Sequence, residues 1–207
     1  MKATRFLLLM LLSVFYSCKS DNDTVVIGND EWMTENLSVK KFNNGDPIPY
    51  YSNNIGWGSL TTPAMCSYNF DASNDAVYGK LYNYYAVIDS RGICPIGWHT
   101  PTDGEFSTLN TTIGGNGGTL KEAGLLHWDS PNSGATNTTN FSALGAGYMG
   151  TSAPSSQRNV TYFWTADSYN TTRAFTWSLS NDNTSFTQSN LNTKVGGFSV
   201  RCIKNSL

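Results

Sequence analysis

The sequence is poor in charged residues. Asp, Glu, Lys and Arg make up 14% of the 207 residues, against roughly 25% in typical soluble domains. Without residues 1–17 the chain holds 11 basic and 15 acidic residues, a formal net charge of −4, and no basic patch stands out. Because nucleic acids and anionic lipid headgroups attract basic surfaces, both are poor partner candidates. Abundant Asn, Ser, Thr and Gly favour a surface of neutral hydrogen-bonding groups.

Groups that serve acid–base or nucleophilic catalysis are also scarce. The only histidines are His99 and His127, and neither has a Ser, Cys or Asp at catalytic motif spacing. The sequence has no Gly-x-Ser-x-Gly nucleophile elbow. We expect His99 to make a structural hydrogen bond and His127 to lie at the surface. We therefore predict that the protein is not an enzyme.

We predict no metal and no cofactor. The segment Asp71–Asp75 carries oxygen-bearing side chains at alternating positions, as a calcium-binding loop does. However, Ala76 stands where the sixth position of such a loop requires Gly, and the final Glu is missing. We interpret the Asp and Asn side chains of this segment as turn formers.

One apolar run, Phe6–Leu12, lies near the start of the chain. It is too short to cross a bilayer, which takes about 20 apolar residues. With Lys2 and Arg5 before it and small residues after it, the run is typical of a secretory signal. We predict a signal peptide over residues 1–17.

Cys18 follows this run, and the segment resembles a bacterial lipoprotein signal, in which the cysteine becomes the acylated first residue. Residues 18–24 are interpreted as a polar tether, and the acidic stretch Ser20–Asp23 within it resembles the tether that directs some lipoproteins of Bacteroidetes-type bacteria to the cell surface. The resemblance implies an outer-membrane protein that is lipid-anchored through Cys18 and exposed at the cell surface. The alternative is plain secretion, with cleavage near Ser17 and a free Cys18.

Three other cysteines remain, Cys66, Cys94 and Cys202, and they allow one disulfide in three pairings. We expect the pair Cys94–Cys202, since it would join the end of the chain to the middle of the domain. Cys66 lies in an apolar and aromatic run and is interpreted as a buried small side chain.

The residue patterns predict one α+β domain over residues 25–207, with short strands, about two helices and many loops. Thr102 and Glu105 form the pattern of a capping box that opens a helix over Asp103–Thr111, with Phe106 and Leu109 on its buried face. A second helix is predicted over Leu81–Asp89, and one or two helical turns within Leu120–Leu126. Predicted strands lie at Val25–Ile27, Leu37–Phe42, Phe141–Tyr148, Tyr162–Ala166, Arg173–Leu179 and Ser199–Ile203. Turns are predicted at Asn43–Pro47 and Asn181–Asn183.

Several motifs resemble the Fibrobacter succinogenes major paralogous domain family, whose members are exported bacterial proteins and lipoproteins. The matching segments, in chain order, are Glu31–Met33 with Asn36–Leu37, Cys66–Tyr68, Tyr78–Val87, Cys94–Pro101, Phe141–Leu144 with Gly147, Phe163–Thr165 and Ser199–Cys202.

A more distant similarity concerns formylglycine-generating-enzyme-type domains, which have the C-type-lectin-like architecture. It rests on Trp98–Phe106, similar to their helix start, and on Gly197–Arg201, similar to their closing strand. The similarity implies twisted antiparallel strands, pairing of the N- and C-terminal strands, and a binding face made of loops. Fold similarity by itself does not assign a function.

Aromatic residues provide the main functional argument, because sugar rings stack on Trp and Tyr while Asn, Ser and Thr bind hydroxyl groups. Trp57, between two glycines, and Trp128, in a loop, are predicted exposed platforms, with Tyr148 and Tyr169 as weaker candidates. We assign the tryptophans of the apolar motifs to the core: Trp32, Trp98, Trp164 and Trp177.

The sequence thus predicts a non-catalytic binding module on the cell surface, recognising polysaccharide or glycoprotein through a loop face. The alternative is a structural or fimbria-associated surface protein whose partner is another protein. The membrane is contacted only through the lipid anchor at Cys18.

Overall fold

The computed structural model describes residues 24–206, so the predicted signal peptide and Cys18 lie outside the described residues. The strands are β1 Thr24–Ile27, β2 Asp30–Met33, β3 Met65–Cys66, β4 Leu81–Tyr82, β5 Trp98–His99, β6 Tyr148–Met149, β7 Pro154–Ser155, β8 Val160–Ser168, β9 Ala174–Ser180, β10 Thr187–Ser189 and β11 Ile203–Lys204. The α-helices are α1 Asp75–Tyr78, α2 Tyr84–Val87 and α3 Asp103–Thr112. Short strands, short helices and long loops make this an α+β fold, as predicted.

The strands form small antiparallel sheets. The largest has the order β1-β2-β11-β5, so strands from both ends of the described chain meet in one sheet. A second sheet has the order β10-β9-β8, and the pairs β3-β4 and β6-β7 complete the set among residues 24–206. The predicted turn Asn181–Asn183 connects β9 to β10, which pair antiparallel.

An aromatic cluster joins α3 to the two larger sheets. The ring of Phe106 in α3 stacks on Trp32 of β2 at 5.2 Å and lies 6.1 Å from Phe163 of β8. Trp177 of β9 contacts the same ring at 6.3 Å. Burying each such side chain contributes roughly 1.5–3 kcal/mol. Trp32, Trp164 and Trp177 are buried, as predicted, and Trp98 is half-buried against the core.

Helix α3 begins with the predicted capping box. The Thr102 hydroxyl accepts a hydrogen bond from the Glu105 amide at 3.2 Å, and the Glu105 carboxylate accepts one from the Thr102 amide at 2.7 Å. His99 adds a structural hydrogen bond, as predicted, with its Nε2 2.8 Å from Glu105 Oε1. Burial raises the pKa of Glu105, but these hydrogen bonds outweigh it and keep the pKa below its ordinary value.

We expect Thr102→Ala to lower the free energy of unfolding by about 1 kcal/mol, because the first turn of α3 loses its cap. Thr108→Ala on the exposed side of the same helix is the matched control, since its hydroxyl only bonds back to the Gly104 carbonyl. Urea unfolding of both variants measures the difference. Equal effects of the two substitutions would contradict a capping role for Thr102.

The predicted disulfide Cys94–Cys202 is present, with Cα atoms 6.0 Å apart and 108 residues of sequence separation. It joins the segment before β5 to the segment before β11. Cys66 in β3 is free and buried, as predicted.

Other predicted elements are shorter than expected or take another form. The helix predicted over Leu81–Asp89 is only α2, because its first residues form β4 and pair with β3. The helical turns predicted within Leu120–Leu126 are wrong. The Lys121 backbone bridges to Ala143, and its ammonium donates to three carbonyl oxygens, of Ser133, Ser180 and Asn183.

Three predicted strands are also corrected. Leu37–Phe42 is not a strand, because its backbone bonds to separate segments: the Leu37 amide donates to Val200, and its carbonyl accepts from Lys80. Phe141–Tyr148 forms only bridges at Ala143 and Gly147 before β6 begins at Tyr148, and Ser199–Ile203 forms a bridge at Ser199 before β11. The predicted strands Tyr162–Ala166 and Arg173–Leu179 are confirmed as the long pair β8 and β9.

Candidate functional site

The two predicted tryptophan platforms are buried, so both predictions are wrong. Trp57 packs beneath Gly197, where an added Cβ would lie 2.9 Å from the indole Cζ2, and its ring meets Tyr51 edge-on at 5.7 Å. Trp128 is fully buried, and its indole nitrogen donates to the Ala143 carbonyl at 2.9 Å. These loops fold back onto the domain and use both rings as core.

The two weaker tyrosine candidates differ from each other. Tyr148 is half-buried, with its ring 5.4 Å from Tyr162 and 6.1 Å from Phe198. Tyr169 is 49% exposed and meets Phe175 edge-on at 5.4 Å. Neither ring lines any of the three cavities described next.

Among the cavities on the described part of the chain, three have similar volumes. The disulfide cavity, about 300 Å³, lies beside Cys94 and is lined by Trp98, Ile93 and Val87. The arginine cavity, about 250 Å³, is lined by Asn36, Ser142 and Arg201. The lysine cavity, about 290 Å³, is lined by Lys40, Tyr50, Met65, Ala72, Asp75 and Lys80. Each is near the lower end of the roughly 300–1,000 Å³ found for small-molecule sites.

In the arginine cavity, the Arg201 guanidinium that lines the wall also makes hydrogen bonds that stabilise the fold. The Arg201 guanidinium donates to the carbonyls of Met33 at 3.3 Å and Phe141 at 2.5 Å, and to Asn36 Oδ1 at 2.8 Å. It also lies over the Phe141 ring at 4.4 Å. Burial lowers the pKa of Arg201 to about 9, and the Glu35 carboxylate acts in the opposite direction. We interpret this guanidinium as structural.

In the lysine cavity, glycine allows a lysine to be buried. Gly79 ends α1 with a φ of +72°, and a Cβ there would lie 2.7 Å from the Leu37 carbonyl oxygen. Only a glycine fits this backbone and this close approach. The next residue, Lys80, donates its amide to Leu37, and its side chain is 2% exposed.

The Lys80 ammonium is the centre of a polar cluster. It forms an ion pair with Asp75 and lies 3.4 Å from the Ser67 hydroxyl. It also lies over the Tyr50 ring, 4.9 Å from the centroid. The Tyr50 hydroxyl is 3.2 Å from Ser67 Oγ, so the cluster holds this ring at both its face and its edge.

The backbone places Tyr50 beside this cluster. The Met65 amide of β3 donates to Pro49, and the Tyr51 amide donates to Met65, both at 2.9 Å. Tyr50 remains 43% exposed while lining the cavity. The site therefore presents a fixed aromatic ring to solvent.

The ionisable side chains of this cluster are engaged within the fold. The Lys80 ammonium is held by Asp75 in an ion pair. Burial raises the pKa of the neighbouring Cys66 thiol to about 12, so the thiolate that nucleophilic attack needs is not populated at neutral pH. One carboxylate oxygen of Asp75, Oδ1, is buried with no hydrogen-bond partner.

Other residues considered from the sequence take structural positions. His127 hydrogen-bonds Glu122 at 2.8 Å and meets the Tyr78 ring edge-on at 5.6 Å. Asp71 Oδ1 accepts from the Ser73 amide at 2.9 Å, which confirms its role as a turn former. Within residues 24–206, no three His, Cys, Asp or Glu side chains gather as metal ligands.

Sequence reasoning missed Tyr50, Asp75 and Lys80. Lys80 lies within the aromatic segment Tyr78–Val87, whose pattern is dominated by apolar residues. A single lysine in such a run, directly after glycine, was the available signal. Tyr50 carries no comparable signal, because its neighbours in the site are distant in sequence.

Comparison with known families gives one match. The family described as the Fibrobacter succinogenes major domain matches residues 25–204, which is most of the chain, and the chain belongs to this family. Comparisons with curated proteins and with solved structures gave no match. No helix among residues 24–206 is long and apolar enough to span a membrane.

Proposed function

We propose that this member of the Fibrobacter succinogenes major domain family is a non-catalytic binding module for polysaccharide or glycoprotein glycans. The observation that carries the proposal is the lysine cavity, where an exposed tyrosine is held in place by a buried ion pair. Sugar rings present C–H faces that pack on aromatic rings, and the surrounding surface is rich in neutral hydrogen-bonding groups.

The proposal includes the cell-surface location. The lipoprotein-like signal ending at Cys18 supports a lipid anchor in the outer membrane, with residues 18–24 as its tether.

The proposal also includes the C-type-lectin-like architecture. It is supported by the pairing of β2 with β11, which brings together strands near both ends of the described chain.

The test is a glycan-array screen of the purified full chain, with and without calcium, followed by titration of the strongest hit. We expect Tyr50→Ala to weaken that binding at least tenfold, because the aromatic face is lost. Its free energy of unfolding is expected to change by less than about 1 kcal/mol, since the side chain is partly exposed.

Tyr169→Ala is the matched control, since this ring is similarly exposed and lies outside the lysine cavity. Its affinity is expected to equal that of the wild type. Loss of binding in Tyr169→Ala but not in Tyr50→Ala would contradict the assignment of the lysine cavity. A blank array would contradict glycan binding and favour a protein partner, for which the exposed Leu125 and Leu126 offer an apolar contact.

A further inference from the structure

The rim of the lysine cavity carries the positive charge of Lys40, which forms no ion pair within residues 24–206. Three charged residues line the cavity, and two of them, Lys80 and Asp75, neutralise each other in the ion pair. The third, Lys40, is exposed, and only its backbone takes part in a hydrogen bond, from the Ile48 amide. Within residues 24–206, the Lys40 ammonium has no carboxylate partner.

This local charge is opposite to that of the protein as a whole. Residues 24–206 hold ten basic and 13 acidic residues. Four of the ten basic side chains, those of Lys80, Arg91, Arg158 and Lys204, pair with carboxylates. Lys40 combines three properties that suit an anion receptor: it is exposed, unpaired and placed at the mouth of a cavity.

Resting on the proposed glycan-binding function, we infer that the lysine cavity takes an acidic sugar residue, with Lys40 pairing the anionic group and Tyr50 contacting the sugar ring. The volume of about 290 Å³ suits one sugar residue of a longer chain. Lys80 is a positioning residue here, because Asp75 already satisfies its charge and its contacts orient Tyr50. The shared chemistry is an anionic group on a sugar, whether carboxylate or sulfate.

The experiment is isothermal titration of the full chain with three probes. They are a galacturonic acid tetrasaccharide, the same tetrasaccharide with its carboxyls methyl-esterified, and a sulfated galactose tetrasaccharide. We expect at least one anionic probe to bind five- to tenfold more tightly than the neutral ester, with a preference that shrinks between 0.05 and 0.5 M salt. The stronger of the two anionic probes identifies carboxylate or sulfate as the recognised group.

Lys40→Gln is expected to lower the affinity for the preferred anionic probe five- to tenfold and so to remove its preference over the neutral ester. Lys41→Gln is the matched control, because Lys41 is the neighbouring exposed lysine and does not line the cavity. Equal affinity for the acid and the ester, or an equal effect of the two variants, would overturn the inference. Array hits confined to neutral glycans would also overturn it and leave the proposed function standing, whereas a blank array would remove both.

Discussion

Replacing Arg201 with methionine is expected to lower the free energy of unfolding by about 3–5 kcal/mol. The guanidinium donates to two buried backbone carbonyls, of Met33 and Phe141, and to the Asn36 side chain. The substitution removes the donor, but the backbone carbonyl oxygens that accepted its hydrogen bonds stay in the folded protein. Methionine removes the cost of burying a charge, but it leaves these oxygens without donors and gives up the stacking on Phe141.

Arg173→Met is the control for this substitution, because Arg173 is exposed and surface changes usually fall within about 0.5 kcal/mol. Chemical denaturation at neutral pH, followed by intrinsic tryptophan fluorescence, measures both. A loss below about 1 kcal/mol in Arg201→Met would show that the three oxygens find other donors. It would then contradict the structural role that we assign to Arg201.

Removing the disulfide through the pair Cys94→Ala and Cys202→Ala is expected to cost about 4–5 kcal/mol. The estimate follows from the entropy of closing a loop of this length in the unfolded chain. The sequence separation of 108 residues makes the loop long, and longer loops release more entropy when they open. Alanine suits both positions, since each side chain is buried.

The control is the wild-type protein unfolded with and without a reductant. With the bond reduced in the unfolded state, the wild type should approach the stability of the double alanine variant. Cys66→Ala, which removes the free thiol, is expected to cost only about 1 kcal/mol. A double variant as stable as the wild type would mean that the unfolded chain is already compact without the bond.

Parts of the fold could be predicted from the sequence because they depend on near neighbours. The capping box joins Thr102 to Glu105, three residues away, and the turn at Asn181–Asn183 directly follows β9 in the connection to β10. Strand β9 is indicated by the alternation of the apolar residues Phe175, Trp177 and Leu179 with polar residues. The disulfide is one of three possible pairings, and the one that joins the end of the chain to the middle of the domain was the expected one.

The candidate site could not be predicted in the same way. The local pattern favours Trp57 and Trp128 over Tyr50, because a loop position or flanking glycines indicate exposure. The structure buries both tryptophans through distant contacts, such as the hydrogen bond from Trp128 to Ala143, 15 residues later. Exposure depends on which segments fold over a ring, and a local pattern does not contain that information.

The sequence by itself determined the family, the α+β class and the helix start at Thr102, and it favoured Cys94–Cys202 among three possible pairings. Only the tertiary structure decided which aromatic ring faces solvent and which lysine keeps a free charge. Lys80 is buried because its backbone bonds Leu37, 43 residues earlier, and its ammonium meets Asp75 beside Tyr50. Local hydrogen bonds and turn preferences involve residues that are close together in the sequence, so a local pattern is enough to predict them. A binding cavity is made by segments that meet only after the chain has folded.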